Sequence, residues 1–124
     1  MACTQDMFAR RMRTLAQEFD SCGPIFVALG DEKRQHIILT LLEFHKGMRV
    51  GELAEQVHLS RPAISHHLKI LKDAGMICVH KEGTMNFYYM NGDKAQWAQL
   101  TSFVAHVDEI VREAADSWKA NCTG

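Results

Sequence analysis

A basic stretch without carboxylates lies near the middle of the chain. Its members, between residues 60 and 72, are Arg61, His66, His67, Lys69 and Lys72. Cationic side chains neutralise phosphates, whereas hydroxyl and imidazole groups form hydrogen bonds with the edges of bases. The whole chain has a formal net charge of −1, but contact with a polyanion depends on the local surface rather than on the total. The chemistry that this stretch indicates is binding to nucleic acid.

A helical wheel divides the stretch into two faces. Ile64, Leu68 and Leu71 lie on one side and are predicted to be buried. His67 lies near that side, which indicates a structural histidine. The opposite face carries the side chains predicted to contact DNA: Arg61, Pro62, Ser65, His66, Lys69 and Lys72. The serine and the histidine of this face suit base edges, the lysines suit phosphates, and the arginine suits either.

Two short helices joined by a tight turn are predicted to position this face. Apolar residues at helical spacing predict the first helix: Val50, Leu53, Ala54 and Val57. A three-residue turn, 58–60, ends in Ser60, which is a suitable N-cap for the second helix. That helix is predicted to run to about Ala74 and to stop at Gly75. Residues 48–75 therefore have the pattern of a helix-turn-helix.

In the next segment the apolar pattern changes to a period of two. The stretches 76–81 and 85–90 are rich in β-branched and aromatic residues, and the turn-forming residues 82–84 lie between them. We predict a β-hairpin over residues 76–91, which forms a wing beside the helix-turn-helix. Lys81 is the wing residue predicted to contact DNA.

Three helices are predicted before the helix-turn-helix. An amphipathic helix is expected over Gln5–Phe19, and Pro24 is expected to begin a short second helix, Ile25–Leu29. Asp31 is a suitable N-cap for the third helix, which is expected to end near Gly47. The predicted buried face of this third helix consists of Ile38, Leu41 and Leu42.

The last helix, predicted over about Lys94–Trp118, carries an unbroken heptad seam. The seam consists of Trp97, Leu100, Val104, Val107, Val111, Ala114 and Trp118. A small domain has little left to cover so long a stripe, so we expect it to pair with the same helix of a second chain. The first helix adds a second apolar stripe: Phe8, Met12, Leu15 and Phe19. The alternative is that the seam packs across its own domain.

Three segments follow one another along the chain: ALGDEKRQHIILTLL, VGELAEQVHLSRPAISHHLKILKDAGMI and VHKEGTMNFYYM. In order and spacing they resemble the ArsR/SmtB family of metal- and stress-responsive repressors, continuously from about Phe26 to Met90. The resemblance implies a homodimer that binds an inverted repeat in double-stranded DNA and is released by an inducer. The chain departs from the family at the wing, where a basic residue commonly follows the glycine but Thr84 and Met85 stand here.

The elements and the resemblance together predict the fold class. We expect a mainly α protein with a small β-hairpin, a winged helix-turn-helix that is dimeric through its first and last helices. Residues 1–124 are predicted to form a single domain, in which 1–20 and 93–120 are dimerisation helices, 48–75 is the helix-turn-helix and 76–91 is the wing.

The resemblance also implies a candidate metal site on the last helix. Many family members have Asp-x-His there, followed ten residues later by His-x-x-Glu or His-x-x-His. Aligned without gaps, this chain offers Asp93, Ala95, His106 and Glu109, so the first histidine is missing. Because zinc prefers four tetrahedral ligands, no cofactor is expected. The remaining candidate ligands for zinc or another divalent metal are Asp93, His106 and Glu109.

The sequence argues against several other classes of function. It has no glycine-rich phosphate loop and no nucleophile elbow, so an enzyme is not expected. It has no apolar run long enough to cross a bilayer and nothing similar to a signal peptide, which predicts a cytoplasmic protein without a membrane partner. The main hypothesis is a sequence-specific transcriptional repressor. The alternatives are a metal-sensing repressor that uses the partial site, or a winged-helix module that binds proteins.

Overall fold

The computed structural model describes residues 2–92 and 95–119, which form five helices and one two-stranded sheet. In chain order these are α1 (Ala2–Leu29), α2 (Glu32–Glu43), α3 (Val50–Val57), α4 (Arg61–Asp73), β1 (Ile77–Glu82), β2 (Met85–Met90) and α5 (Ala95–Lys119). Residues up to Cys22 form one compact unit with residues from Ala98 onward, and Gly23–Trp97 form another. The single domain over residues 1–124 stays a prediction. None of the helices in the described ranges is long and apolar enough to span a bilayer.

α1 is one continuous helix, so the prediction of separate helices over Gln5–Phe19 and Ile25–Leu29 is wrong. Pro24 lies inside this helix. A proline restricts the preceding residue partly through a clash with its Cβ, and Gly23 has no Cβ. The chain can therefore stay helical here, although the carbonyl of Asp20 loses its usual N–H partner because proline has none.

α2 begins as predicted but buries a different face. Asp31 is its N-cap and accepts a hydrogen bond from the backbone N–H of Arg34 at 3.0 Å. Ile37 is fully buried, whereas Leu42 is 58% exposed, so the prediction that Leu42 is buried is wrong. The predicted face was placed one helical position too far along the chain. The buried residues of this helix are Ile37, Ile38, Thr40 and Leu41.

The end of α2 also differs from the prediction. The helix stops at Glu43, and the chain turns at Gly47 with φ +94°. A Cβ at Gly47 would overlap the ring of Tyr89, so glycine is required for both its backbone angle and the space it leaves. Gly47 therefore marks the packing of this turn against β2 rather than the end of a helix.

The helix-turn-helix and the wing form as predicted. β1 and β2 pair antiparallel with Glu82 opposite Met85, which leaves a two-residue turn that begins at Gly83 with φ +62°. Backbone hydrogen bonds join Met48 and Tyr88 in both directions, at 3.0 and 2.8 Å. These bonds attach the start of the helix-turn-helix to β2, so the wing has a fixed place beside α3.

In the other unit, α1 and α5 run antiparallel. Three contacts pair residues in opposite order along the two helices: Phe19 with Phe103, Glu18 with His106, and Arg11 with Glu113. The two rings have centroids 4.4 Å apart and meet edge to face. Phe103 is the buried apolar residue of α5, at 5% exposure. It lies outside the predicted heptad seam.

Candidate nucleic-acid interface

α4 has the two faces that the helical wheel predicts. Ile64, Leu68 and Leu71 are at most 1% exposed and hold the helix against the core. Ser60 accepts a hydrogen bond from the backbone N–H of Ala63 at 3.3 Å, which confirms the predicted N-cap. The predicted DNA-contacting residues of this helix are all exposed: Arg61, Pro62, Ser65, His66, Lys69 and Lys72. A rigid, solvent-facing polar and basic surface results.

The two lysines of this surface differ in how much of their charge is available. Lys69 Nζ lies 2.9 Å from Asp73 Oδ2, an ion pair one helical turn apart. Both side chains are more than half exposed, so the pair adds little to stability. It nevertheless places a carboxylate beside a predicted phosphate contact. Lys72 forms no ion pair with any residue that the structure describes.

Arg61 lies over the first turn of α3. A Cβ at Gly51 would stand 2.7 Å from Nη2 of Arg61, so the absence of a side chain at Gly51 permits this close approach. Arg49, the N-cap residue of α3, places its Nη1 3.5 Å from Sδ of Met85 on β2. Arg49, Gly51 and Arg61 line a cleft of about 660 Å³ together with Asn86, between α3, the start of α4 and the wing.

Sequence reasoning did not identify Arg49, which lines this cleft. It lies twelve residues before Arg61, and the backbone bonds between its neighbour Met48 and Tyr88 hold this part of the chain beside β2. The only available signal was its position at the start of the first helix of a helix-turn-helix.

A polar network behind α4 fixes His67. Arg34 on α2 donates from Nε to the carbonyl of Ala28 at 2.8 Å and from Nη2 to the carbonyl of Val27 at 3.1 Å. Its Nη1 lies 3.2 Å from Nδ1 of His67. Because a guanidinium can only donate, Nδ1 must be the acceptor and His67 the neutral Nε2–H tautomer. The prediction that His67 is structural agrees with this arrangement.

The same network shifts two pKa values. Burial lowers the pKa of His67 below its usual value; the nearby Asp31 carboxylate, 3.9 Å away, opposes this shift and the Arg34 guanidinium adds to it. The hydrogen bond from the backbone N–H of Arg34 lowers the pKa of Asp31. His67 is therefore held neutral near pH 7, while Asp31 is held ionised as an N-cap.

The wing itself offers little positive charge. Lys81 is exposed on β1, as predicted, but Glu82 follows it directly and lies 3.9 Å from His80. The turn at Gly83 carries Thr84, so the basic residue that is common in the family after this glycine is absent.

The residues predicted to form the dimer leave apolar surface on both helices of their unit. Exposed fractions are 52% for Phe8, 55% for Val104, 44% for Val111 and 51% for Trp118. Met12, Leu15, Leu100 and Val107 are half-buried. Trp97 belongs to the other unit, where its Nε1 donates to the carbonyl of Met76 at 3.2 Å.

Two of the three candidate metal ligands lie in the groove between α1 and α5. His106 Nδ1 lies 2.7 Å from Glu18 Oε1, and Glu109 lines the same groove between α1 and α5. Asp93 lies outside the described residues. Within residues 2–92 and 95–119, no group of three or more His, Cys, Asp or Glu side chains is arranged to hold a metal ion. The histidine ligand that the family pattern requires at position 95 is an alanine.

Comparison with known sequences identifies the family. The profile described as bacterial regulatory protein, arsR family, matches residues 31–78. An uncharacterized HTH-type transcriptional regulator of Methanocaldococcus jannaschii is 40% identical over 94 residues, which cover 76% of this chain and 99% of that protein. The transcriptional repressor SdpR of Bacillus subtilis is 41% identical over 69 residues, which cover 54% of this chain and 72% of SdpR.

Solved structures agree on the fold. A crystal structure of an ArsR family transcriptional regulator has a TM-score of 0.65 and 25% identity, covering 75% of this chain and 92% of that one. The homodimeric winged helix-turn-helix DNA-binding domain from Mycobacterium bovis has a TM-score of 0.59 and 21% identity, covering 78% and 88%. The predicted winged helix-turn-helix is therefore confirmed. The chain belongs to the arsR family of bacterial regulatory proteins, and its function is DNA-binding regulation of transcription rather than catalysis.

Proposed function

We propose that the chain is a homodimeric repressor that binds an inverted-repeat operator in the cytoplasm and is released by an inducer. The observation that carries this proposal is the exposed face of α4, where Arg61, Lys69 and Lys72 accompany Ser65 and His66. Its lysines suit phosphates, and its hydroxyl and imidazole groups suit base edges in the major groove.

The surface of α1 and α5 supports the dimer. Phe8, Val104 and Val111 leave about half of their side-chain area in solvent, which costs free energy unless a second copy covers it. A twofold dimer places two copies of α4 in successive major grooves, about 34 Å apart. The homodimeric state of a protein with the same fold is consistent with this arrangement.

Polarity favours DNA over a protein partner for α4. A helix that docks on a protein usually presents large apolar side chains, whereas the described exposed face of α4 is polar and basic. The proposed operator contact therefore uses two kinds of group: lysines that set the affinity for any duplex, and Ser65 and His66 that select sequence.

Fluorescence anisotropy with a labelled random-sequence duplex tests the DNA contact over a series of salt concentrations. Lys72→Ala should weaken binding and reduce the log–log salt slope by about 0.9, because one phosphate contact is lost. The matched control is Lys46→Ala, since this exposed lysine lies in a cleft with the acidic Glu43, Glu52 and Glu55. Equal slopes for both variants and the natural protein would contradict the proposed role of α4.

A further inference from the structure

We propose that the cleft between α3 and the wing binds a phosphate of the DNA backbone, with Arg49 and Arg61 as its cations. This inference rests on the proposed DNA-binding function and adds a site outside the exposed face of α4. It starts from the small positive charge of the wing, where Lys81 is next to Glu82 and the turn residues carry no charge.

Arg49 supplies the missing cation from a different element. Its backbone N–H donates to Glu52 Oε1 at 3.0 Å, and its Nε lies 3.5 Å from the same oxygen. The far end of the guanidinium extends past this carboxylate to Met85, with Nη1 3.5 Å from Sδ. The side chain remains 50% exposed. A positive charge therefore lies against the strand that the wing turn leads into.

Arg61, at the start of α4, lines the same cleft. Its guanidinium rests over Gly51, where a Cβ would stand 2.7 Å from Nη2. Asn86 of β2 also lines the cleft and has an amide that can donate a hydrogen bond. Two guanidinium groups and an amide suit a phosphate, because guanidinium groups present paired donors to its oxygens.

Two carboxylates limit where a phosphate can bind. Glu52 and Glu55 line the cleft as well. Glu52 is engaged by Arg49, and Glu55 lies four residues beyond Gly51, about 6 Å further along α3. The phosphate site is therefore the end of the cleft beside the wing, where the helix dipole of α3 is also positive.

Two variants separate the charge of this site from its geometry. Arg49→Ala removes the cation but keeps the backbone N–H that bonds to Glu52, so α3 keeps its N-terminal hydrogen bond. Gly51→Ala keeps every charge and improves helix propensity, but it displaces the guanidinium of Arg61. Neither change opens a cavity in the core, so both proteins should fold, which circular dichroism would verify.

Binding to a random-sequence duplex is measured by anisotropy at several salt concentrations. For Arg49→Ala we expect affinity to fall about five- to tenfold near 0.1 M salt and the log–log slope to fall by about 0.9. Gly51→Ala should weaken binding about two- to fivefold, within the range of one partly lost phosphate contact. Arg49→Lys keeps a positive charge and should retain most of the salt slope. When Met85→Lys is combined with Arg49→Ala, it should recover most of the slope that Arg49→Ala loses.

Lys72→Ala distinguishes the two ways in which the proposal can fail. If Lys72→Ala weakens binding while Arg49→Ala and Gly51→Ala do not, α4 binds DNA and the cleft does not bind phosphate. If the natural protein does not bind the duplex even at low salt, the proposed function and the cleft site both fail. Weakening by Arg49→Ala without any change of salt slope would also overturn the proposal, because a phosphate contact must release counterions.

Discussion

At the scale of single residues, Asp73 pairs with one of the two lysines of α4 that are proposed to contact DNA. Its carboxylate holds Lys69 at 2.9 Å and lies one residue beyond Lys72. The basic stretch ends just before this acid, so counting charges from residue 60 to 72 omits it. Phosphate contact by Lys69 has to break or share the ion pair, whereas Lys72 has no such competitor among the described residues.

Asp73→Asn should strengthen binding to any duplex. The change releases Lys69 and removes a negative charge beside the proposed DNA contact, so affinity should rise about two- to fivefold near 0.1 M salt with a steeper salt slope. Anisotropy titration measures both quantities. Asp108→Asn is the matched control, since Asp108 forms an equivalent pair with Arg112 on α5 at 2.9 Å. A rise of the same size in both variants would indicate a general effect of net charge.

His66→Ala should reduce discrimination between sequences rather than affinity in general. His66 is exposed on α4 and can bond to base edges. The affinity for an operator selected from random-sequence duplexes should fall by about 1–3 kcal/mol, while the affinity for random DNA should change little. The ratio of the two affinities is the measurement. An unchanged ratio would remove His66 from the residues that select sequence.

The altered metal site makes a separate prediction. We expect weak binding of zinc by the natural protein and no release of DNA, because the first histidine of the family pattern is Ala95 here and zinc prefers four ligands. Ala95→His restores the family pattern and should increase zinc affinity, most strongly above about pH 6.5 where imidazole is neutral. Calorimetric titration with a parallel DNA-release assay tests both statements. Tight zinc binding with DNA release by the natural protein would contradict this prediction.

At the scale of elements, Arg34 joins three helices. It donates to the last carbonyls of α1 at Val27 and Ala28, its backbone N–H bonds to the N-cap Asp31, and its side chain reaches His67 on α4. The carbonyls at the end of a helix lack partners within the helix. The guanidinium satisfies two of them and orients α4 at the same time.

The free energy of unfolding should decrease as the pH is lowered, because of His67. Its pKa is lowered in the folded protein, so the unfolded chain takes up the proton first as the pH falls. The contribution of His67 is therefore fully present above about pH 6.5 and is lost as the pH falls through its lowered folded pKa. Urea unfolding at about pH 7.5 and about pH 5.5 measures this loss. The loss should be smaller in His67→Gln than in the natural protein; equal pH dependence of the two proteins would contradict the assignment.

At the scale of the whole molecule, the proposed dimer depends on apolar surface that one chain leaves uncovered. The seam residues Val104 and Val111 are exposed, while Phe103 on the adjacent face packs against Phe19 within the chain. α5 therefore has one face packed against α1 and a second apolar face available for a partner.

Val104→Glu should produce monomers. Two carboxylates in a dry interface cost several kcal/mol, which weakens association by about a thousandfold. Sedimentation velocity measures the loss, and operator affinity should fall with it. Ala105→Glu is the matched control, because this exposed position lies about 100° around α5 from Val104. A fully dimeric Val104→Glu protein would show that the seam is not the interface.

The sequence alone determined the parts that depend on local pattern. Apolar spacing and capping residues located α3, α4 and the hairpin, because helix and strand periods and N-cap chemistry act over a few residues. The buried side of α4 followed from the same spacing and is confirmed by Ile64, Leu68 and Leu71. The resemblance of these linked segments identified the family.

The tertiary structure decided what depends on residues far apart in the chain. Leu42 is exposed and Ile37 is buried because tertiary packing selects which of several apolar residues on α2 face the core. A helical wheel cannot rank these residues by their burial. The contacts of Arg34 with His67 and of Arg49 with Met85 join residues 33 and 36 positions apart. Such contacts arise only when the core brings separate elements together, so no local pattern in the sequence predicts them.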